Sequence, residues 1–323
     1  MKYPKVSVII LNFNGVKDTI ECIESLKKIT YPNYEIIVVD NKSAGDDVNI
    51  LKERFSNIHV IANDKNYGFA EGNNIGVRYA MEHSNPKYVF ILSNDTVVAK
   101  DFLEELVKVA ESDDSISAVC PLPYFYNDPE TPFPLYTKKS LWTAGYVEHS
   151  LLWTGGYAKS SLWRGEKPEA TVEVRTTNNY IECAYTEFAL LVKTEVIKKV
   201  GLYDSRFFFG AEGHDWWYRN KKAGYKMVCS LKSKVGHKRG SATSSKFPEV
   251  RMYHNICGQL LLEKKYGNFF QFTFFILYYL IVKFGYLCKT IIIGEYCNTG
   301  RTKSYLLKRL IRGIIDGLLI NKK

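Results

Sequence analysis

The sequence predicts an α/β fold: a mostly parallel central sheet with helices on its faces. Three observations carry this. Short apolar runs rich in β-branched and aromatic residues recur at Val6–Leu11, Tyr34–Val39, Ile58–Ala62 and Tyr88–Leu92, the pattern of buried strands. Between them lie stretches with helical spacing, such as Ile20, Ile23 and Leu26, so strand and helix alternate as in a sheet with crossover helices. Three strands then break into polar residues, at Asn12-Phe13-Asn14-Gly15, Asp40-Asn41-Lys42-Ser43 and Ser93-Asn94-Asp95-Thr96. Ligands of open α/β sheets sit beyond the carboxyl ends of strands, so these ends mark one crevice, and about residues 1–100 read as a nucleotide-binding half.

Taken in order, Asn14 or the turn after it starts the first helix, and a second helix covers about 46–55. Asn66-Tyr67-Gly68-Phe69-Ala70-Glu71-Gly72-Asn73-Asn74 reads as a loop. Its glycines let backbone approach a ligand, and Asn73-Asn74 can cap a helix running to about His83. It lacks the G-x-G-x-x-G dinucleotide fingerprint. Asp95 is the sharpest residue after the following strand, because a carboxylate there can hold a divalent cation against a diphosphate. Asn94-Asp95 equally suits a plain turn.

Past Asp101 an amphipathic helix places Phe102, Leu103, Leu106, Val107 and Ala110 on one side. A short strand, Ser117–Cys120, precedes Pro121, Pro123, Pro129, Pro132 and Pro134, expected as an irregular excursion. Leu141–Tyr146 and Leu152–Tyr157 echo one another and suit two hairpin strands. Tyr185–Val192 reads as a strand, followed by a helix around 195–200. Glu212 and Asp215 are spaced i, i+3 on one helix face, although acids at a helix start also simply complement its dipole. After Gly224 comes another strand, and His237 is expected in a glycine-flanked polar loop.

Composition narrows the class. The 323 residues suffice for one large or two modest domains. Seven cysteines without a C-x-x-C pair fit a reducing compartment better than a disulfide framework or zinc site. With a strand at the very start of the chain, cytoplasmic placement is expected. From Arg251 onward there are 12 Lys and Arg against 3 Asp and Glu, a surplus of 9 out of the chain's +10. The basic excess accompanies a greasy tail rather than a groove, which points to a membrane surface and away from nucleic acid. Phe269–Val282 is 14 residues with only Gln271 and Thr273 polar, short of the ~20 needed to span. Residues 267–323 are therefore expected to lie on a membrane. The alternative, helices packing on the catalytic domain or on a second copy as a homodimer, stays open. The expected division is 1–250, with its second half at about 101–250, and a basic helical region at 251–323.

The ordered segments VSVIILNFNG, EIIVVDN, NYGFAEGNN, FILSNDTVV, VGLYDSRFF, AEGHDWWYR, KAGYK and GHKRGS resemble family 2 glycosyltransferases of the GT-A fold over about residues 4–265. The bacterial rhamnosyl-, glucosyl- and galactosyltransferases of surface polysaccharide assembly are the most similar group. The resemblance implies an inverting transferase that uses a nucleoside-diphosphate sugar, a saccharide or lipid-linked saccharide acceptor and Mg²⁺ or Mn²⁺, working at the inner face of the plasma membrane. It matches Asn12 and Asn14 to the loop beneath the base, Asp40 to the nucleoside contact, and Asn66, Gly68 and Asn73 to the ribose–phosphate loop. Asn94 and Asp95 fall at the D-x-D position, with Ser93 replacing the first acid, and His237 completes the metal site. The family's acid motif places a base where this chain has Gly213, which leaves Asp215 or Glu212 as the base, with His214 behind them. Ser93 and Gly213 also motivate the alternative of an inactive nucleotide-sugar-binding partner subunit.

Overall fold

The structure is a computed structural model that describes residues 3–132, 179–183, 188–238, 248–278 and 303–320. The paired tryptophan segments at 141–157 and part of the strand expected from Tyr185 lie outside the described residues.

The described residues fall into two units. The first is built on Met1–Lys138, Ala170–Ser205 and Gly213–Ala242. Its sheet contains β1 (Val6–Asn12), β2 (Tyr34–Asp40), β3 (His59–Ala62), β4 (Tyr88–Ser93), β5 (Thr96–Val98), β6 (Ile116–Phe125), β7 (Asp128–Pro132), β8 (Tyr180–Glu182), β9 (Ala189–Lys193) and β10 (Lys226–His237). The order is β3-β2-β1-β4-β9-β6-β10-β5, with β7 on β6 and β8 on β10. β3, β2, β1 and β4 are parallel neighbours; β9 opposes both β4 and β6, and β10 follows β6. β3, β2, β1, β4, β6 and β10 therefore share one direction, with β9 against them, as the α/β reading expects.

Both faces of the sheet are covered, which explains why its strands read as apolar runs and not as alternation. Val8 and Ile10 pack with Ile23 and Leu26 of α1 (Val16–Leu26) and with Phe102, Leu103 and Leu106 of α4 (Phe102–Glu111). Ile9 and Val39 face the other way, towards Ala70, Val77 and Ala80 of α3 (Gly68–His83) and Val196 of α5 (Thr194–Val200). α2 (Asp47–Arg54) lies between β2 and β3 in the chain.

Three expectations need correction. The glycine-rich segment is not a loop, because α3 already begins at Gly68 and takes Asn73 and Asn74 into its body. Gly72 within it serves packing, as does Gly76 further along α3: a Cβ at Gly72 would sit 2.6 Å from Leu11 Cδ1, and one at Gly76 would sit 2.5 Å from Ile9 Cγ2 and 2.9 Å from Val39 Cγ2. The excursion expected at Pro121 and Pro123 is instead the continuation of β6 to Phe125. Pairing with β9 ends at Val119, so the missing N–H groups of these prolines forfeit no ladder bond on that side. His237 is not in a loop but ends β10, opposite Thr96.

The second unit draws its described residues from Arg206–Glu212 and Thr243–Lys323. Of the helix α6 (Glu212–Lys222) only Glu212 belongs to it, the rest being part of the first unit; α7 (Pro248–Tyr266), α8 (Phe269–Tyr278) and α9 (Lys303–Leu319) are its helices. α7 and α9 approach closely through small residues, since a Cβ on Gly317 would lie 3.2 Å from Cys257 Cα. Tyr253 donates to Asp316 at 2.6 Å, and Lys264 Nζ donates to the Leu318 and Ile320 carbonyls at 2.8 and 2.7 Å, satisfying groups that a helix end leaves open. On α8, Phe275 is buried while Phe269, Phe270, Phe274 and Leu277 are exposed. Among the described residues, no helix is long and apolar enough to cross a membrane.

Two outcomes follow from this packing. Gly76→Val should destabilise the protein by about 1–3 kcal/mol in chemical denaturation, because the α3–sheet contact has no room for the added methyl groups. Glu263 is buried on α7, and burial pushes its carboxyl up to about 8. The unfolded chain releases this proton at a lower pH than the folded one, so stability falls as pH rises towards 8. Glu263→Gln should raise the melting temperature at pH 8, with the gain shrinking towards pH 5.

Candidate active site

The parallel register of β1 and β2 sets Asn12 directly opposite Asp40, and the β1–β4 register sets Leu11 opposite Ser93. The three polar strand ends are thereby brought to one edge of the sheet. Asn12 is fully buried and its amide is shared: Nδ2 donates to Asp40 Oδ2 at 2.7 Å and to Asp47 Oδ2 at 2.9 Å, while Oδ1 accepts from Thr19 Oγ1 at 2.7 Å. Asn94 Nδ2 donates to the same Thr19 hydroxyl at 3.0 Å. One helix residue, Thr19, thus couples the ends of β1 and β4.

Ser43 fixes the Asp40 carboxylate by donating from its amide at 2.9 Å and from its hydroxyl at 2.6 Å. With Asn12, that makes three donors to a group with about four acceptor positions, which leaves capacity for one more. Asn14 adopts a left-handed conformation (φ 53°), receives the Ala44 amide on Oδ1 at 2.7 Å, and donates its own amide to Ser43 Oγ at 2.8 Å. The β1 and β2 loops are stitched together by these bonds.

Asn66 and Gly68 are organised by Asn41, whose Nδ2 donates to Asn66 Oδ1 and to the Gly68 carbonyl, both at 2.9 Å. Asn73 is buried in α3; Nδ2 donates to the Phe69 carbonyl, and Oδ1 has no hydrogen-bond partner among the described residues. Asn74 has a different task, since it exchanges two hydrogen bonds with the Tyr203 backbone at 2.9 and 3.1 Å. Asp47 and Asn41 were not singled out from sequence. Their signal was present, as polar residues within seven positions of a strand end.

Asp95 lies in the turn between β4 and β5. His237 Nε2 and Asp95 Oδ1 meet at 3.1 Å, and the imidazole stacks on Phe188 with centroids 4.9 Å apart. Burial alone would raise the Asp95 carboxyl, but the hydrogen bond and charge of His237 outweigh it and hold the group below its ordinary value. A carboxylate oxygen and an imidazole nitrogen form a donor set suited to a divalent cation such as Mn²⁺. Among the described residues, no third His, Cys, Asp or Glu joins them, so other ligands of such an ion would come from water or substrate.

Glu212 opens α6 and Asp215 follows one turn on. Asp215 is fully buried and accepts from Arg219 Nε at 2.9 Å; the same guanidinium donates to the Val200 and Leu202 carbonyls at 2.6 and 2.7 Å. The Asp215–Arg219 pair therefore ties α6 to the chain leaving α5. Glu212 is buried as well.

The family model described as Glycosyl transferase family 2 matches residues 7–165. That match spans the three strand ends and stops before α6 and His237. A low-salt glycan biosynthesis hexosyltransferase, Agl10 of Haloferax volcanii, is 29% identical over 109 residues, 33% of each chain. The glycosyltransferase GlyG of Streptococcus pneumoniae is 27% identical over 113 residues, 34% of this chain and 36% of that protein. The matched segments thus span about a third of these relatives. Among solved structures, the mannosyltransferase PcManGT of Pyrobaculum calidifontis, in complex with GDP-Man and Mn²⁺, aligns over 98% of this chain and 88% of its own with a TM-score of 0.56 at 14% identity. GalNAc-T7 with UDP, GalNAc and Mn²⁺ aligns over 98% of this chain and 58% of its own, with a TM-score of 0.58 at 15% identity. The likeness to these structures gives the GT-A fold.

The shared Asn12 amide makes a stability prediction. Asn12→Ala would leave two buried carboxylates, Asp40 and Asp47, without their common donor. It should cost about 1–3 kcal/mol in denaturant unfolding, well above the effect of Asn49→Ala at the exposed start of α2.

Proposed function

Since the chain belongs to glycosyl transferase family 2 through residues 7–165, we propose that it transfers a sugar from a nucleoside-diphosphate sugar to a saccharide hydroxyl, with inversion, in the assembly of a surface glycan. The observation that most supports this reading is the pairing of Asp40, with acceptor capacity to spare, and the Asp95–His237 couple on a single sheet. Asp40 would receive a donor group of the base or ribose. The loop shaped by Asn14, Asn41 and Asn66, with Gly68 and Asn73 on α3, would line the ribose and diphosphate. Asp95 and His237 would hold a Mg²⁺ or Mn²⁺ ion, which offsets charge on the departing diphosphate when bound. The solved neighbours' Mn²⁺ and nucleotide ligands support that choice of cofactor and donor class.

The base takes the proton of the acceptor hydroxyl as its oxygen bonds to the anomeric carbon, while the bond from that carbon to the diphosphate oxygen breaks on the opposite face. Either carboxylate at the start of α6, Glu212 or Asp215, would serve as that base. Asp215 also carries a structural task, since its Oδ2 accepts from Arg219 Nε at 2.9 Å. Glu212→Gln should abolish transfer while leaving donor binding within a few-fold. Asp215→Asn should act first on stability, by about 1–3 kcal/mol, because it removes the carboxylate partner of a part-buried guanidinium.

Incubation of the protein and Mn²⁺ with UDP-, dTDP- and GDP-sugars tests the whole reading through release of nucleoside diphosphate. Release from one donor, lost in Asp95→Ala, is the expected result. Nucleotide binding without release, even with membrane extract supplying acceptors, would favour the inactive-partner reading that Ser93 and Gly213 motivate.

The exposed aromatic face of α8 and the basic surplus after Arg251 support contact with an anionic membrane surface, where a lipid-linked acceptor would be presented. Replacing Phe269, Phe270 and Phe274 together by Ser should abolish flotation with anionic liposomes. Flotation unchanged by that replacement, with dimers that dissociate in the variant, would assign the face to a second copy instead.

A further inference from the structure

Lys238 follows His237 in a basic run, Lys238-Arg239, where a phosphate contact is the obvious reading for such a residue. Its surroundings argue otherwise. Lys238 Nζ donates to Asp18 Oδ1 at 2.6 Å and also to Glu21 Oε2. Tyr126, in the turn after β6, donates its hydroxyl to Glu21 Oε1 at 2.5 Å and its amide to the His237 carbonyl at 3.3 Å, and its ring lies 5.0 Å beneath the ammonium. One cation facing two carboxylates leaves a net charge of −1, which repels a diphosphate. The lysine and Asp18 are only 18% and 20% exposed, so the pairing is screened less than a surface ion pair.

The backbone of the same residue turns the opposite way, with the Lys238 amide donating to the Asp95 carbonyl at 2.9 Å. Lys238 therefore grips Asp95 with its main chain and α1 with its side chain. α1 in turn carries Thr19, bonded to Asn12 and Asn94, and Cys22, whose thiol lies 3.6 Å from Thr96 Oγ1.

We propose that Lys238 is a positioning residue: its bridge to Asp18 and Glu21 on α1 holds the Asp95–His237 pair in the register that binds a divalent cation. The proposal rests on the metal role assigned above to Asp95 and His237.

The test is a Mn²⁺ titration of the full chain followed by electron paramagnetic resonance, with the metal alone as probe, alongside UDP binding in EDTA. Lys238→Met should weaken Mn²⁺ by about 10–100-fold, the usual effect of losing a partner that orients a ligand, and leave metal-free UDP binding unchanged. Asp18→Asn/Glu21→Gln should reproduce that loss, and Lys238→Arg should recover most of it. Mn²⁺ affinity unchanged in Lys238→Met would overturn the proposal. So would a parallel loss of UDP binding in EDTA, which is what a direct phosphate contact or a collapsed site predicts. Equal Mn²⁺ affinity in the native protein and in His237→Ala would instead overturn the metal assignment itself.

Discussion

Everything at the sheet edge depends on where one buried amide sits. Asn12 has two N–H groups and one carbonyl to dispose of, in a place that water does not reach, and each must find a partner or cost free energy. The β1–β2 register hands one hydrogen to Asp40, the start of α2 hands the other to Asp47, and Thr19 supplies the donor for the oxygen. Strand register, the first helix and the second helix are thus fixed against one another by a group of four side chains. The rest of the edge inherits that geometry, since Asn94 hangs from Thr19 and the Asn14 loop hangs from Ser43.

Much of this was legible in the sequence because burial on both faces of the sheet produces uninterrupted apolar runs, and a polar residue closing such a run stands out. Asn12, Asp40 and Asp95 were visible for that reason. α4 was equally plain, with all five of its expected apolar positions buried. What misled the reading was glycine. In 68–76 it signals close approach of a helix to the sheet, but a sequence cannot separate that from a loop, because both need an absent Cβ. Gly236 had the same effect in β10, where it lies opposite Val97 and not in a turn. Proline misled likewise, because a strand losing its partner on one side tolerates missing N–H groups that a central strand would not.

Residues whose role is to hold another side chain were harder to find. Asp47, Asn41 and Lys238 look from sequence like a helix cap, a turn residue and a surface cation. Only the folded chain brings Asp47 to the amide of Asn12, Asn41 to Asn66 and Lys238 to two acids 217 and 220 positions away. Such pairings are fixed by tertiary structure alone, whereas strand ends are written in local pattern.

The charge around this edge bears on how the proposed anionic donor would be accommodated. Asp40 and Asp47 are buried side by side, Asp95 is a turn away from β4, and Asp18 and Glu21 stand on α1. Among the described residues that face them, Lys238 is already neutralised and His237 is engaged with Asp95. A diphosphate brought to this edge would be repelled by these carboxylates, the more so where burial weakens screening. Positive charge arriving with the ligand would offset that repulsion, and Asp95 and His237 are the residues that would hold a divalent ion supplying it. The same acids would then make the nucleotide–metal complex bind more tightly than the free nucleotide, which the base and ribose contacts at Asp40 would hold alone.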